Sequence, residues 1–386
     1  MPFNELVKSE YGFLGDCIHL NCCSVGVPSM RVQDACRSYY DDFLTLVYGS
    51  SEGYGPHREC VREKVALLLG CEPEEIAFTG STTEGLCVLA AGYPLGPGDN
   101  VVICDLENPI VVIAWTNAAN NRGFDLRIVK TTNGQIHPHE LFALCDAGTR
   151  LICLSAVQYG TGFLADIRAI GAECRARGVV FAVDAIQALG RIAIDVRDMN
   201  IDYLSCGGFK GLGASFGIGI IYCSNTIIRN INPAYAGACS VDGCLTAPQV
   251  FDAIPYLDFY NDARRLENGS HNSPGIVLLG ASLDLIHDFG IINIWKHIQE
   301  LEDLLRRELS VTQMEFTGPQ SPENRSGIVV IYYPDRLYSQ VKEILRRDRI
   351  ILTLNPGYIR LAINCYNTKE QILTVSRAIN EISELI

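Results

Sequence analysis

The amino-acid sequence predicts an α/β protein whose larger part is a mainly parallel sheet covered by helices on both faces. From about residue 60 to residue 225, short apolar segments alternate with longer amphipathic ones. Strands that are apolar on both faces and alternate with helices are typical of such a sheet. The helix predicted over Ile167–Arg177 ends before Gly178, a residue that suits the left-handed end of a helix. The predicted strands are Ile76–Thr79, Val101–Asp105, Leu126–Val129, Leu151–Ser155, Val179–Asp184, Tyr203–Cys206 and Ile218–Cys223.

The remainder of the chain predicts a second, smaller α+β domain. Residues 230–274 are rich in Gly, Pro, Asn and Asp and predict long loops. A helical pattern then runs from about Ile276 to Leu309. The tail predicts a strand over Gly327–Tyr333, a helix over Leu337–Arg347, strands over Ile350–Thr353 and Ile359–Ile363, and a helix over Lys369–Ile386. We therefore expect a large α/β domain over residues 20–260 and a small α+β domain formed by residues 1–19 and 261–386.

The overall composition indicates an ordinary globular protein. Of its 386 residues, 48% are hydrophobic and 19% are charged, and the formal net charge is −13. Nucleic-acid binding needs a surplus of Lys and Arg, so we expect no nucleic-acid partner. The N-terminal residues carry charges where a signal peptide is apolar, and no apolar run is long enough to cross a bilayer. We expect a cytoplasmic protein without a membrane partner.

The sequence predicts neither a disulfide framework nor a metal site. Sixteen cysteines are scattered through the chain, many in apolar segments, and no C-x-x-C pair occurs. Free cysteines in such places are usually reduced core residues. His137 and His139 form a pair, but the surrounding segment supplies no further ligand.

The first candidate functional motif is Gly80-Ser-Thr-Thr-Glu-Gly85, directly after the predicted strand Ile76–Thr79. Ser81 and Glu84 have the spacing of a capping box, so a helix is predicted to begin here. Free backbone N–H groups and neighbouring hydroxyls make such a helix end a potential anion site. The alternative is a plain capped helix. The glycine spacing fits neither a Walker loop nor a dinucleotide-binding fingerprint.

The second motif is Asp184, which ends a fully apolar strand and is followed by Gln187. A carboxylate in such a place is costly unless a cationic group meets it. In open α/β sheets, the carboxyl ends of the strands form the ligand crevice. The alternative is a helix N-cap aspartate.

The third motif is Lys210 in Gly207-Gly-Phe-Lys-Gly211, after the strand Tyr203–Cys206. Glycines and apolar residues around a lysine favour desolvation, which lowers its pKa and suits Schiff-base chemistry. The alternative is a lysine on a surface loop.

The three motifs in this order resemble the class V aminotransferase family, which includes cysteine desulfurases, selenocysteine lyases and cystine C–S lyases. The resemblance extends over nearly the whole chain. Ile18–Gly26, with Asn21, resembles the family's N-terminal substrate loop, and Arg360–Thr368 resembles its C-terminal arginine motif. The fold implied is that of the fold-type I PLP-dependent transferases, with a large, mainly parallel sheet domain and a small α+β C-terminal domain.

The resemblance also implies a cofactor, pyridoxal 5′-phosphate (PLP), carried as an aldimine on the catalytic residue Lys210. Asp184, also catalytic, would pair with the pyridine nitrogen, and Gln187 would hydrogen-bond the ring oxygen. Thr82 and Thr83 would hold the phosphate. On the substrate side, the implied ligands are Asn21 and Arg360, with Arg360 binding the α-carboxylate.

A homodimer with shared active sites follows from the same resemblance. Arg265–Asn272 resembles a family loop whose hydroxyl residue reaches the phosphate of the neighbouring subunit, and Ser270 stands at that position. Three positions depart from the family pattern. Asn108 replaces a histidine that stacks on the cofactor ring, so it is a cofactor-binding candidate without a titratable group. Gly207 and Phe209 replace the serine and the histidine of the S-G-H-K that relatives often have, so two side-chain contacts to the phosphate or ring are missing.

The function implied is elimination from a small sulfur-containing amino acid through a Lys210 aldimine and a quinonoid, as in C–S lyases and cysteine desulfurases. A persulfide-forming sulfur donor is not favoured, because the segment that carries the desulfurase nucleophile corresponds to Thr353–Tyr358, which lacks cysteine. Cys365 lies beyond Arg360 and is expected to be an apolar filler. The alternative enzyme is an aminotransferase, epimerase or deaminating enzyme of the same family. From a different class, the alternative is a catalytically silent binding protein.

Overall fold

The centre of the protein is a seven-stranded sheet. The computed structural model describes residues 1–43, 55–242, 257–309, 314–319 and 321–386. Its strands are β1 Ile18–His19, β2 Ile76–Thr79, β3 Asn100–Cys104, β4 Asp125–Val129, β5 Thr149–Ser155, β6 Val180–Asp184, β7 Tyr203–Gly207, β8 Gly219–Cys223, β9 Phe316–Thr317, β10 Ile328–Tyr332, β11 Ile350–Ile351, β12 Thr353–Asn355 and β13 Tyr358–Ala362. The central sheet has the order β2-β8-β7-β6-β5-β3-β4, and only β8 runs antiparallel to its neighbours. The prediction of a mainly parallel sheet is therefore confirmed.

Helices precede, connect and follow these strands. The α-helices of the described residues are α1 Phe3–Tyr11, α2 Met30–Asp41, α3 Gly55–Leu69, α4 Thr82–Gly92, α5 Pro109–Arg122, α6 Pro138–Ala143, α7 Ile167–Arg177, α8 Ser273–Phe289, α9 Ile291–Glu308, α10 Tyr338–Arg347 and α11 Lys369–Ser383. Helix α7 has the predicted bounds and ends at Gly178, whose φ is +67°. Among the described residues, no single helix is both long and apolar enough to cross a membrane.

Alternate residues of the central strands enter two separate hydrophobic cores, one on each face of the sheet. In β6, Phe181 and Val183 belong to one core, and Val180 and Ala182 belong to the other. This alternation follows from the two-residue period of a strand. It also explains why the strands are apolar throughout, and it leaves their carboxyl ends as the accessible edge of the sheet.

A second sheet of four antiparallel strands has the order β12-β13-β10-β9. The predicted single strand Ile350–Thr353 is wrong, because its two ends belong to different sheets. Ile350 and Ile351 form β11, which pairs in parallel with the two-residue strand β1, whereas Thr353 begins β12. Since β1 is so short, the chain leaves that pairing after two residues.

The helical pattern predicted from about Ile276 to Leu309 is confirmed, but it forms two helices rather than one. Gly290, with a φ of +74°, separates α8 from α9, and the two helices meet at a bend of 73°. A positive φ suits glycine and stops an α-helix. The loops predicted over residues 230–274 lie partly outside the described residues. The remaining described part is loop with short 3-10 helices, such as Ala263–Leu266, until α8 begins at Ser273.

The N-terminal segment lies beside the C-terminal strands. Besides the pairing of β1 with β11, Asn21 forms a parallel bridge with Ala362 at the end of β13. The segment 21–26 is therefore anchored next to the strand that contains Arg360. The division into residues 20–260 against residues 1–19 and 261–386 stays a prediction.

Candidate active site

Asp184 lies at the carboxyl end of β6 with only 1% of its surface exposed. One carboxylate oxygen, Oδ1, accepts a hydrogen bond from the backbone N–H of Ile186 at 2.9 Å. The other, Oδ2, is buried and has no hydrogen-bond partner within the described residues. Burial raises the pKa of Asp184 to about 7. A turn rather than a helix follows, so the N-cap alternative is wrong, and Oδ2 remains available to a ligand.

Lys210 follows β7, the strand next to Asp184 in the sheet. Burial lowers the pKa of its amine, while the charges of Asp184 and Cys23 act to raise it and Arg360 acts to lower it. The Nζ atom lies 5.6 Å from the centre of the Phe209 ring. A half-buried amine among these groups is not a surface-loop lysine. The charges of Lys210 and Asp184 act on each other's pKa, so the two side chains lie at the same end of neighbouring strands.

The backbone around Lys210 is packed against the N-terminal segment. The N–H of Gly26 donates to the carbonyl of Phe209 at 2.8 Å. A Cβ atom on Gly26 would lie 2.0 Å from the carbonyl oxygen of Lys210, so any larger residue would displace the loop. The segment 21–26 and Lys210 therefore hold each other in place.

The predicted helix start at Ser81 is confirmed, with a changed capping arrangement. Ser81 Oγ accepts from the N–H of Glu84 at 3.1 Å, but the Glu84 carboxylate accepts from Gly80 at 2.6 Å rather than from Ser81. Thr82 is buried, and its Oγ1 accepts from the N–H of Gly207 at 2.8 Å. Its hydroxyl proton is not used in that bond. Thr83 is exposed at the helix end, where N–H groups point toward a potential anion.

Arg360 lies in a polar cluster that the chain assembles from three segments. Its Nη1 donates to the carbonyl of Tyr159 at 2.9 Å, and its Nη2 donates to the hydroxyls of Ser24 and Thr353, each at 3.3 Å. Thr353 in turn donates to Asn21 Oδ1 at 2.8 Å. The Nε atom of Arg360 is buried without a partner among the described residues. We call Asn21, Ser24, Thr353 and Arg360 the Arg360 cluster.

Gln187 and Asn108 have local hydrogen bonds of their own. Gln187 is buried, and its Nε2 donates to the carbonyl of Cys23 at 2.9 Å. Asn108 caps helix α5, since its Oδ1 accepts from the N–H of Ile110 at 3.2 Å. Beyond these contacts, Gln187 keeps one N–H hydrogen and Asn108 keeps two. The cofactor contacts expected of both residues stay predictions.

Ser270 lies on an exposed loop near the start of helix α4. It lines a cavity of about 180 Å³ together with Gly80, Glu84 and Asn272. The neighbouring Asn268 donates to Glu84 at 3.3 Å. Ser270 is thus close to the potential anion site at Gly80–Gly85 of its own chain. Its role toward a partner subunit stays a prediction.

Glu107 is a buried carboxylate that sequence reasoning did not single out. It accepts hydrogen bonds from the N–H and hydroxyl of Ser155, from Gln158 Nε2 at 3.0 Å and from the thiol of Cys104 at 3.3 Å. Burial raises its pKa, and its charge contributes to the raised pKa of Asp184. Glu107 lies just after the apolar strand β3. The argument that identified Asp184, that a carboxylate at the end of an apolar strand needs a partner, could have identified Glu107 too.

Residues 28–375 match the sequence model of the family Aminotransferase class-V, and the chain belongs to that family. A probable cysteine desulfurase of Methanothermobacter thermautotrophicus is 26% identical over 407 residues, covering 98% of both chains. The apo structure of a cysteine desulfurase from Thermococcus onnurineus superimposes with a TM-score of 0.88 at 21% identity, covering 100% of this chain and 99% of the other. The cystine C–S lyase C-DES, in complex with its product cysteine persulfide, gives 0.86 at 21% identity, covering 97% and 100%.

These comparisons confirm the family resemblance and the fold class. At 21% identity, the two solved structures show that the fold is shared. The departures from the family pattern, at Asn108, Gly207 and Phe209, remain features of this chain.

Proposed function

We propose that the protein is a PLP-dependent enzyme that cleaves the C–S bond of a small sulfur-containing amino acid by elimination. The observation that supports this most is Asp184 Oδ2, a buried carboxylate oxygen with no partner among the described residues, whose charge interacts with that of Lys210. The proposal also agrees with the family to which the chain belongs and with its relatives named cysteine desulfurase. When bound, the cofactor supplies an electron sink for negative charge on the substrate Cα.

The Asp184 carboxylate and the Lys210 amine fit that cofactor. A protonated pyridine nitrogen would give Asp184 Oδ2 the cationic donor it lacks, and it would favour the ionised carboxylate over the neutral form. Lys210 has a pKa lowered by burial, so its amine is more often neutral and able to attack an aldehyde. Thr83 and the N–H groups at the start of α4 would hold the phosphate, with Ser81 and Glu84 shaping that end of the helix.

Arg360 would bind the substrate α-carboxylate. A guanidinium presents donors in a fixed plane that matches a carboxylate. Here the contacts to Tyr159, Ser24 and Thr353 fix that plane and leave Nε without a partner. With the carboxylate held there and the amino group near Lys210, the Lys210 amine would take the proton from Cα.

The fate of the sulfur follows from the hairpin that begins at Thr353. Strands β12 and β13 are joined by the two residues Pro356 and Gly357, and Gly357 has a φ of +88°. This turn holds no thiol and leaves no longer loop that could present one. The sulfur would therefore leave Cβ with the electrons of the C–S bond. It would end on a small product, as sulfide or a persulfide, rather than on this segment of the protein.

A second candidate is a desulfurase that uses Cys23 as its thiol. The Cys23 sulfur lies 3.9 Å from both Asn21 Oδ1 and Thr353 Oγ1, inside the proposed substrate site. Its charge also influences the pKa of Lys210. We place this candidate second because the family motif does not assign a thiol to that position.

The proposal is tested by product analysis with L-cysteine and L-cystine as separate substrates. Elimination predicts pyruvate and ammonia in equal amounts, with sulfide from cysteine or cysteine persulfide from cystine. Alanine in place of pyruvate would contradict elimination and support the desulfurase. Keto acid formed only when a second keto acid is added would support an aminotransferase instead. A purified protein that holds PLP yet responds to no amino acid would favour a binding protein.

We further propose that the enzyme is a homodimer in which Ser270 completes the phosphate site of the partner subunit. The resemblance of the loop Arg265–Asn272 to the family loop supports a shared site, and Ser270 is exposed at the surface beside Gly80 and Glu84 of its own chain. Light scattering of the active enzyme tests the dimer, and an active monomer would contradict it. The cytoplasmic location stays a prediction of the sequence.

A further inference from the structure

The hydroxyl group of Thr353 is the point where the Arg360 cluster is joined. Thr353 Oγ1 lies 2.8 Å from Asn21 Oδ1, 3.1 Å from Ser24 Oγ and 3.3 Å from Arg360 Nη2. A hydroxyl offers one hydrogen to donate and two lone pairs that accept. These three contacts therefore use its full capacity, and the Cys23 sulfur lies farther away, at 3.9 Å.

The directions of these hydrogen bonds are fixed by their chemistry. Asn21 Oδ1 can only accept, so Thr353 donates to it, and Arg360 Nη2 can only donate. With its one proton used, Thr353 must accept from the hydroxyl of Ser24, and Ser24 accepts from Arg360 Nη2 at 3.3 Å. The result is a one-way chain of donors from Arg360 through the two hydroxyls to Asn21. Changing any member leaves another without its partner.

The backbone holds the members of this chain at fixed distances. Thr353 and Arg360 are directly opposite each other in the antiparallel pair of β12 and β13. Cross-strand partners have Cβ atoms about 4.5–5.5 Å apart, which allows a side-chain hydrogen bond on one face of the sheet. Asn21 is held by its bridge to Ala362, two residues beyond Arg360 on the same strand. The geometry is therefore built into the register of the small sheet.

We propose that Thr353 is a positioning residue for the substrate carboxylate. It orients the Arg360 guanidinium so that the unpartnered Nε faces the substrate, and it ties the loop of Asn21 and Ser24 to the same strand pair. The proposal rests on the function proposed for Arg360. The ligand class it selects is an amino acid with a free α-carboxylate, as opposed to the corresponding amine.

The decisive variant is Thr353→Val, which keeps the branched shape and removes the hydroxyl. Thr353→Ser keeps the hydroxyl and serves as the matched control. The probes are L-cystine and cystamine, which differ by the two carboxylates. Their dissociation constants are measured on the PLP-bound enzyme from the change in cofactor absorbance directly after rapid mixing, before products form. Thermal unfolding of each variant checks that it folds.

We expect wild type to bind L-cystine more tightly than cystamine. Thr353→Val should weaken L-cystine binding about 10- to 100-fold, the effect of losing a hydrogen bond to a charged group, and change cystamine binding by less than about twofold. Thr353→Ser should restore the wild-type pattern. If Thr353→Val folds poorly, Ser24→Ala provides the second variant, since it removes the other hydroxyl on Nη2 and should weaken L-cystine selectively by about three- to tenfold.

The outcomes separate this proposal from the one it rests on. Wild type that binds both probes equally would overturn the carboxylate role of Arg360 and, with it, the role of Thr353. If wild type and Thr353→Val preferred L-cystine over cystamine to the same extent, only the role of Thr353 would be overturned. If Thr353→Val weakened the binding of both probes by the same factor, Thr353 would have a general structural role. That result would also overturn its proposed role in positioning the carboxylate.

Discussion

The side-chain amide of Gln187 donates a hydrogen bond to the backbone carbonyl of Cys23 at 2.9 Å, and both residues are buried. Gln187 lies three residues after Asp184, on the turn beyond β6, whereas Cys23 lies in the N-terminal segment. The bond therefore connects the proposed cofactor site with the loop that carries Asn21. One N–H of Gln187 is used in this contact, and the other is available for the cofactor ring.

Gln187→Leu should destabilise the protein and loosen that loop. The change leaves the buried Cys23 carbonyl without a donor, which costs about 1–3 kcal/mol. Denaturant unfolding of the cofactor-free protein measures the loss of free energy of unfolding. Gln340→Leu, at an exposed position on α10, is the control. Equal stability of the Gln187 variant and wild type would contradict the importance of this bond.

Asp184 should make the cofactor-free protein less stable as the pH rises. Burial raises its folded pKa to about 7, whereas an aspartate in an unfolded chain titrates near pH 3.9. Between the two values the folded state binds more protons, so the free energy of unfolding falls as the pH rises from about 4 to about 7. Asp184→Asn cannot ionise and should lack this fall.

The measurement is denaturant unfolding at several pH values for wild type, Asp184→Asn and the exposed control Asp335→Asn. Identical pH profiles for wild type and Asp184→Asn would rule the effect out. Asp184→Asn should also retain PLP less well, because the variant has no negative charge for the ring nitrogen.

Lys210→Ala should abolish turnover while PLP can still bind through its other contacts. Borohydride treatment of wild type, followed by peptide mapping, should find the cofactor attached to Lys210, since that amine interacts with the charge of Asp184 and has a pKa lowered by burial. Lys342→Ala, at an exposed position on α10, should behave as wild type. A label on any other lysine would show the assignment to be wrong.

Arg360→Lys should keep the cofactor spectrum and lose about 2–5 kcal/mol of substrate binding or transition-state stabilisation, the range for breaking a buried charged pair. An ammonium cannot replace the planar guanidinium that contacts Tyr159, Ser24 and Thr353 together. Steady-state kinetics and substrate titration measure the loss, with the exposed Arg336→Lys as control. A variant that retains wild-type kcat/KM would refute the role.

The central sheet, Asp184 and Lys210 could be predicted from the sequence because their signals are local. An apolar strand that ends in Asp184, and a lysine between glycines after the next strand, are visible in short segments. The contacts of Thr353 could not be predicted in this way. They depend on the register of β12 with β13 and on Asn21 meeting Ala362, which joins residues more than 300 positions apart.

Helix periodicity failed for a related reason at Gly290. The apolar pattern continues in phase across it, so the pattern alone predicts one helix. The positive φ of that residue and the 73° bend are set by how α8 and α9 pack around the core. A single glycine within a long pattern is compatible with either outcome.

Two thiols near the site, Cys365 and Cys23, have different surroundings. Cys365 is buried, and burial raises its pKa to about 12, so it is an inert thiol that packs beside Tyr11 and Tyr366. Cys23 lies 3.9 Å from Thr353 Oγ1, within the Arg360 cluster. Of Cys365 and Cys23, it is Cys23 that is placed where it could take sulfur from a bound substrate. If it did, its sulfur would bond to the substrate sulfur as the C–S bond breaks, and alanine would be released.

The elimination mechanism predicts that neither thiol is required. Cys23→Ser and Cys365→Ser should both form pyruvate and ammonia from L-cystine, because sulfur leaves with the electrons of the C–S bond and needs no acceptor on the protein. Cys23→Ser should change KM more than kcat, since its side chain lies beside Asn21 and Thr353. Product quantification and mass spectrometry of the intact protein provide the measurement, with the exposed Cys60→Ser as control. Alanine formed in proportion to substrate, a mass gain of one sulfur atom on Cys23, and loss of both in Cys23→Ser would overturn elimination in favour of desulfuration.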